Sequence, residues 1–196
     1  MSRKTYIAFG DSITEGYGVY RGFVSFLAEQ ISEARPDLEL TTVNAGLSGE
    51  NTNDAIHRLQ RDVLDHNPDL VTINFGVNDA FSGISAVKFG SNLEAMVDII
   101  KETGCGRIVL VSSEVIPEPQ AEKQVKPYWE KMREVAEAAG VVYADANGYW
   151  QSLLDSGTDQ WSLIILGDMH PNEEGHRIIA EAVFEAMEAS KVLDGL

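Results

Sequence analysis

The sequence predicts an α/β fold: a three-layer α/β/α sandwich built on a parallel five-stranded sheet. Three observations lead there. Short apolar runs alternate with amphipathic helical stretches along the whole chain. One run, Leu70 to Phe75, is almost continuously apolar, as a central parallel strand covered on both faces should be. Small polar motifs follow the first three runs, where an open α/β sheet keeps its ligand sites. The 196 residues, 44% of them hydrophobic, are enough for an ample core, and no repeat, low-complexity tract or linker divides them, so a single domain covers residues 1–196.

Taken in order, Tyr6-Ile7-Ala8-Phe9 forms the apolar centre of strand one, residues 5–10, which Gly10 ends. Val19 to Ala34 reads as a helix, since Phe23, Phe26, Leu27 and Ile31 recur at three- and four-residue steps, and Pro36 closes it. Leu38 to Asn44 is strand two, followed by the loop Ala45-Gly46-Leu47-Ser48-Gly49-Glu50-Asn51. Thr52 to Leu64 is a second helix with Ile56, Leu59 and Val63 inward, broken by Asn67-Pro68. After strand three, Gly76-Val77-Asn78-Asp79 reads as a turn. Ser85 to Thr103 is helical, with Leu93, Met96, Val97 and Ile100 on one face. Arg107 to Ser112 is strand four, Pro117-Glu118-Pro119 a loop, Ala121 to Ala139 a helix and Val141 to Ala144 strand five. A short helix spans Gly148 to Asp155, and a last one Glu173 to Ser190. This alternation implies right-handed crossovers.

Four motifs carry chemistry. Gly10-Asp11-Ser12, Ser48-Gly49 and Gly76-Val77-Asn78-Asp79 follow strands one to three, and in a parallel sheet these ends share one edge. The fourth, Gly167-Asp168-Met169-His170-Pro171-Asn172, precedes the last helix, where Asn172 can cap and Glu173 and Glu174 favour the helix dipole. Pro171 biases His170 towards an extended backbone, so a loop presents its imidazole. These are the parts of acyl transfer. A serine hydroxyl needs a base to accept its proton, and histidine suits that task near neutral pH. The base needs an orienting carboxylate, and the developing oxyanion needs fixed donors. The Ser12 and Gly49 N–H groups and the Asn78 amide are candidate donors, and Gly49 lacks the Cβ that would obstruct a close approach.

Gly-Asp-Ser near the N-terminus, Ser-Gly after strand two, Gly-x-Asn-Asp after strand three and a terminal His-Pro-Asn together resemble the SGNH (GDSL-type) hydrolases. The likeness covers nearly the whole chain, with the motifs in the family's order. It implies a flavodoxin-like fold that hydrolyses carboxylic esters or related acyl compounds without a cofactor. By motif position Ser12 is the nucleophile, His170 the general base, and Gly49 and Asn78 oxyanion donors. One feature departs from the family. Its aspartate usually stands three residues before the histidine, where this chain has Gly167, and Asp168 stands two before. Asp168 is the expected acid; Asp159, or a dyad without an acid, are the alternatives.

Other residues read as support. Asp11 and Asp79 are expected to tie loops together, and Asn44 and Asn74 to do similar work at strand ends. Tyr17, Tyr20, Val77, Phe81 and Met169 are candidates for the acyl pocket or for plain packing, and Trp150 and Trp161 for a rim or the core. His57 and His66 read as solvated, and His176 as a capping or surface residue, with support of the neighbouring His170 loop as its other reading. Cys105, alone between two glycines, excludes an intrachain disulfide and a Cys-rich zinc site, and its place in a turn makes it a bystander. No pair of histidines has ligand-like spacing beside an acid, and Gly10, Gly16 and Gly18 do not match the dinucleotide pattern, so neither metal nor cofactor is expected.

Fifteen Lys and Arg against 31 Asp and Glu give a net charge of −16, which opposes binding to nucleic acid and anionic membranes. No apolar run reaches the roughly 18 residues of a membrane span. Met1-Ser2-Arg3-Lys4 leads straight into a strand, so a cytoplasmic protein acting on a small-molecule ester is the expectation, with the mature part of an exported protein as the alternative that reads the same way. Cleavage of a thioester or acyl transfer by the same site is the second reading, and an inactive binding module of the same fold the third.

Overall fold

Period-two burial builds the sheet. In β1 (Ser2–Gly10), Tyr6 and Ala8 enter one layer of helices while Ile7 and Phe9 enter the other. The computed structural model describes residues 2–196. The strands β2 (Leu38–Gly46), β3 (Leu70–Asn74), β4 (Ile108–Val111) and β5 (Val142–Ala144) join β1 in one parallel sheet of order β2-β1-β3-β4-β5. Every residue of β3 and β4 is buried, which is why their sequences are apolar rather than alternating.

The short helix α1 (Ser12–Glu15) follows β1 directly, and α2 (Phe23–Ala34), α3 (Thr52–Asp62), α4 (Val77–Phe81) and α5 (Ala86–Glu102) come next. They are followed by α6 (Pro119–Ala139), α7 (Ala146–Asp155) and α8 (Glu173–Ser190). Helices α2, α7 and α8 cover one face of the sheet; α3, α5 and α6 cover the other. The Leu93, Met96, Val97 and Ile100 stripe of α5 is fully buried, and each such side chain stabilises the fold by about 1.5–3 kcal/mol.

The order of the sheet reverses at β1, which has β2 on one side and β3 on the other. The crevice beyond the carboxyl ends of these strands is therefore the topological switch point, where such folds bind ligands. Register makes those ends meet: Gly10 is level with both Gly46 and Asn74.

Element boundaries differ from the sequence reading where glycine or packing intervenes. The first long helix starts at Phe23 rather than Val19, because Gly22 takes an extended backbone (φ −87°, ψ 172°) as its N-cap. The expected turn at residues 76–79 is instead the start of α4, which buries Asp79 and Ala80. Strands one and two run further than expected, to Ser2 and Gly46, because they pair along their full length. Among the described residues, no helix is long and apolar enough to cross a membrane.

Candidate active site

The site starts from Gly10. A Cβ there would stand 2.0 Å from Thr14 Oγ1 and 2.6 Å from the Asn74 carbonyl, so only glycine lets the chain turn sharply out of β1 into α1. Asp11 caps that helix by accepting the Ile13 N–H at 3.0 Å. Ser12 is thereby set at the first helical position, at the carboxyl edge of the sheet and mostly shielded from solvent.

His170 reaches it from the other end of the chain. Its Nε2 lies 2.9 Å from Ser12 Oγ, and its Nδ1 lies 2.6 Å from Asp168 Oδ1. The loop carrying both is closed by Ile165 N–H to His170 O at 2.9 Å, Asp168 N–H to Ile165 O at 3.0 Å and the bridge between Ile164 and Pro171. Gly167 makes the turn at φ +81°. The same Asp168 oxygen accepts the backbone N–H of Met169 at 2.6 Å and of His170 at 3.1 Å. This tight Asx turn brings a carboxylate two residues away onto the imidazole, and the hydrogen bond from the ring holds the Asp168 pKa below its ordinary value. Tyr17 packs on the imidazole, with ring centroids 4.6 Å apart. Asp159, the other acid considered, caps the short turn before Ile164 by accepting the Trp161 N–H.

Asn78, in the first turn of α4, donates its side-chain amide to the Glu50 carbonyl at 3.0 Å and to Asp11 Oδ2 at 3.2 Å. It thus ties the Ser12 loop to the Gly49 loop. Gly49 has φ +80° and sits exposed beside residues tethered on both sides: Glu15 binds the Ser48 N–H at 2.8 Å and its hydroxyl, and Glu50 accepts from Asn78. Ser12, Asn78 and His170 line one pocket of about 100 Å³, together with Asp11, Ile13, Val77, Phe81, Glu114, Ile116 and Met169. The structure therefore joins Ser12, Asp168 and His170 in one chain of contacts and sets Asn78 beside them. Gly49 is not among the residues that line the pocket.

Supporting residues fall largely as expected. Asp79 accepts from Thr52 through its N–H at 3.1 Å and its hydroxyl at 2.5 Å, and Asn44 and Asn74 brace strand ends. Val77, Phe81 and Met169 line the pocket, whereas Tyr20 projects into solvent and Trp150 is core. Trp161 is exposed. His176 is a correction: it is buried against Phe23, whose N–H donates to its Nδ1 at 3.2 Å, because the last helix packs its first turns on α2. Burial there lowers its pKa to about 4.

Two functional neighbours escaped the sequence reading. Arg58 is buried on α3, stacked 4.4 Å over Phe9 and donating to the carbonyls of Gly10 and Ala45 at 2.9 and 2.7 Å. It also pairs with Glu50, so it clamps the ends of β1 and β2 to the loop that carries Gly49. The signal was an arginine on the inward face of an amphipathic helix. Glu114, just beyond β4, is buried in the pocket wall, and no pattern in the sequence marked it.

The GDSL-like Lipase/Acylhydrolase family matches residues 8–178. An arylesterase of Vibrio mimicus is 32% identical over 106 residues, spanning 53% of this chain and about half (52%) of that protein. An acetylxylan esterase of Geobacillus stearothermophilus is 24% identical over 204 residues, 92% of each chain. The solved structure of that Geobacillus acetylxylan esterase, Axe2, superposes with a TM-score of 0.82 at 22% identity, covering 94% of both chains. A lake-metagenome enzyme, LAE5, does so with a TM-score of 0.82 at 24% identity, covering 98% of this chain and 97% of the other. Axe2 has also been solved with a serine, an aspartate and a histidine replaced, each variant being a catalytic mutant. With the motifs, the contacts and the match over most of its length in agreement, the chain belongs to the GDSL-like lipase/acylhydrolase family, the carboxylic ester hydrolases that its motifs resemble.

Proposed function

We propose that this protein hydrolyses carboxylic esters of short acyl groups, with Ser12, His170 and Asp168 as its catalytic triad. The observation that carries the reading is the unbroken contact chain from Ser12 Oγ to His170 Nε2 at 2.9 Å and from His170 Nδ1 to Asp168 at 2.6 Å. His170 accepts the hydroxyl proton as Ser12 attacks the acyl carbon, and Asp168 holds the ring in the tautomer that leaves Nε2 free to accept. The tetrahedral intermediate places negative charge on the former carbonyl oxygen. The Ser12 and Gly49 N–H groups and the Asn78 amide are its donors. Asn78 releases its longer contact, 3.2 Å to Asp11, to reach the oxyanion. His170 then protonates the departing alkoxide, and water attacks the acyl-enzyme by the same route in reverse.

Acyl length follows from space. A pocket of about 100 Å³ walled by Ile13, Val77, Phe81, Ile116 and Met169 suits a few carbons rather than a fatty chain. The likeness to an acetylxylan esterase supports the same size class.

The test is labelling of the folded protein with a fluorophosphonate, beside turnover of p-nitrophenyl acetate, longer acyl esters and acyl-CoA. Ser12→Ala should abolish both labelling and hydrolysis while the fold survives. Undiminished hydrolysis in that variant would remove the assignment. Faster turnover of acyl-CoA than of any oxygen ester would move the reading to thioesters.

A further inference from the structure

One wall of the pocket is not used by the hydrolytic mechanism. Glu114 is 2% exposed, lines the same pocket as Ser12 and His170, and its Oε2 has no hydrogen-bond partner within the protein. Ile13 and Ile116 beside it are buried hydrocarbon. The nearby carboxyl of Asp11 has a partner on each oxygen, since Oδ1 accepts the Ile13 N–H and Oδ2 the Asn78 amide. Burial raises both acids: Asp11 to about 7, against the opposing hydrogen bonds from Ile13 and Asn78, and Glu114 to about 8, with Asp11 and Glu122 adding repulsion. They differ in their partners, which Asp11 has and Glu114 Oε2 lacks. A neutral carboxylic acid carries one O–H donor and one carbonyl acceptor. Buried beside hydrocarbon without a partner, such a group favours an occupant that completes it and disfavours one that cannot.

Resting on the ester-hydrolase reading above, we propose that Glu114 is a specificity-determining residue of the acyl pocket. It selects short acyl groups that carry a hydroxyl or carbonyl oxygen beyond the ester carbon over hydrocarbon acyl groups of the same size. Such a group lies along the apolar wall while its oxygen meets the Glu114 carboxyl. A site built to hydrogen-bond an oxygen rejects the analogue that lacks it far more strongly than an apolar pocket rejects an extra methyl.

The discriminating pair is p-nitrophenyl 3-hydroxybutanoate and p-nitrophenyl 3-methylbutanoate, which exchange a hydroxyl for a methyl on one carbon. Each kcat/KM is divided by that ester's hydroxide rate, and the ratio of the two is read within each protein, so a general fall in turnover cancels. Wild type should favour the hydroxy ester by about tenfold or more. Glu114→Gln, which keeps a donor and an acceptor, should preserve the direction, and Glu114→Leu should bring the ratio to one or below. Glu114→Met serves the same purpose should the leucine variant fail to fold. Fluorophosphonate labelling of Ser12 runs beside each measurement. Labelled wild type that prefers the methyl ester, that cleaves neither ester of the pair, or whose preference survives in Glu114→Leu or Glu114→Met overturns the proposal and leaves the esterase reading standing. Wild type that is neither labelled nor active on any ester overturns that reading, and the proposal with it.

Discussion

Asp168 orients His170 across a single intervening residue: the Oδ1–Nδ1 contact of 2.6 Å is made from within an Asx turn whose backbone N–H groups bind the same oxygen. The carboxylate is therefore held by its own loop rather than by a distant strand. Asp168→Asn should retain the loop, because an amide oxygen still accepts from the backbone, yet lose the correct imidazole tautomer. Turnover should fall by on the order of 10²–10⁴. Single-turnover acylation measures it, and an unchanged rate would mean that His170 works as half of a dyad.

Asn78 holds two loops together and, in the proposed mechanism, turns its amide to the oxyanion, so its removal should be read in kcat. Asn78→Ala is expected to lower kcat by on the order of 10²–10³ with a smaller change in KM. A change confined to KM would reduce Asn78 to a loop tie between Glu50 and Asp11.

Glu114 makes stability depend on pH. Its carboxyl titrates near 4.5 in the ordinary state and near 8 when buried, so between those values the unfolded chain has released a proton that the native chain still binds. Stability must then fall as pH rises through that window. Glu114→Gln lacks this slope, so its stability relative to wild type should grow from about pH 5 to about pH 8, by several kcal/mol at most. Urea midpoints at the two pH values check it; a constant difference would show that Glu114 is ionised in the native protein.

His176 acts on the acid side. Its pKa falls from 6.5 to about 4 on burial, so the unfolded chain binds a proton below pH 6.5 that the native chain refuses until about pH 4. Native stability is therefore lost as pH falls through that interval. Relative to wild type, His176→Gln should therefore gain up to about 3 kcal/mol of stability as pH falls through that range, read from urea midpoints of both proteins. Parallel slopes would place a proton on His176 in the native state.

Much of this molecule was legible in its residues. The five apolar runs became the five strands, and the stripe Leu93, Met96, Val97, Ile100 became a buried helix face, because period and burial are local signals. Boundaries near glycine were less legible: the extended Gly22 delays to Phe23 a helix expected from Val19. His176 was misread because its burial depends on α2, more than a hundred residues earlier in the chain.

The sequence by itself determined the strand–helix alternation and singled out the serine, asparagine and histidine to which the proposed reaction is assigned, since each follows a strand or precedes a helix in a recognisable motif. Tertiary structure alone decided that Asp168 reaches the imidazole from two residues away, that Arg58 clamps the ends of two strands, and that Glu114 stands unpartnered beside the nucleophile. These are distances and burials between segments far apart in the chain or folded back on themselves. Only closure of the sheet and its loops assigns them values.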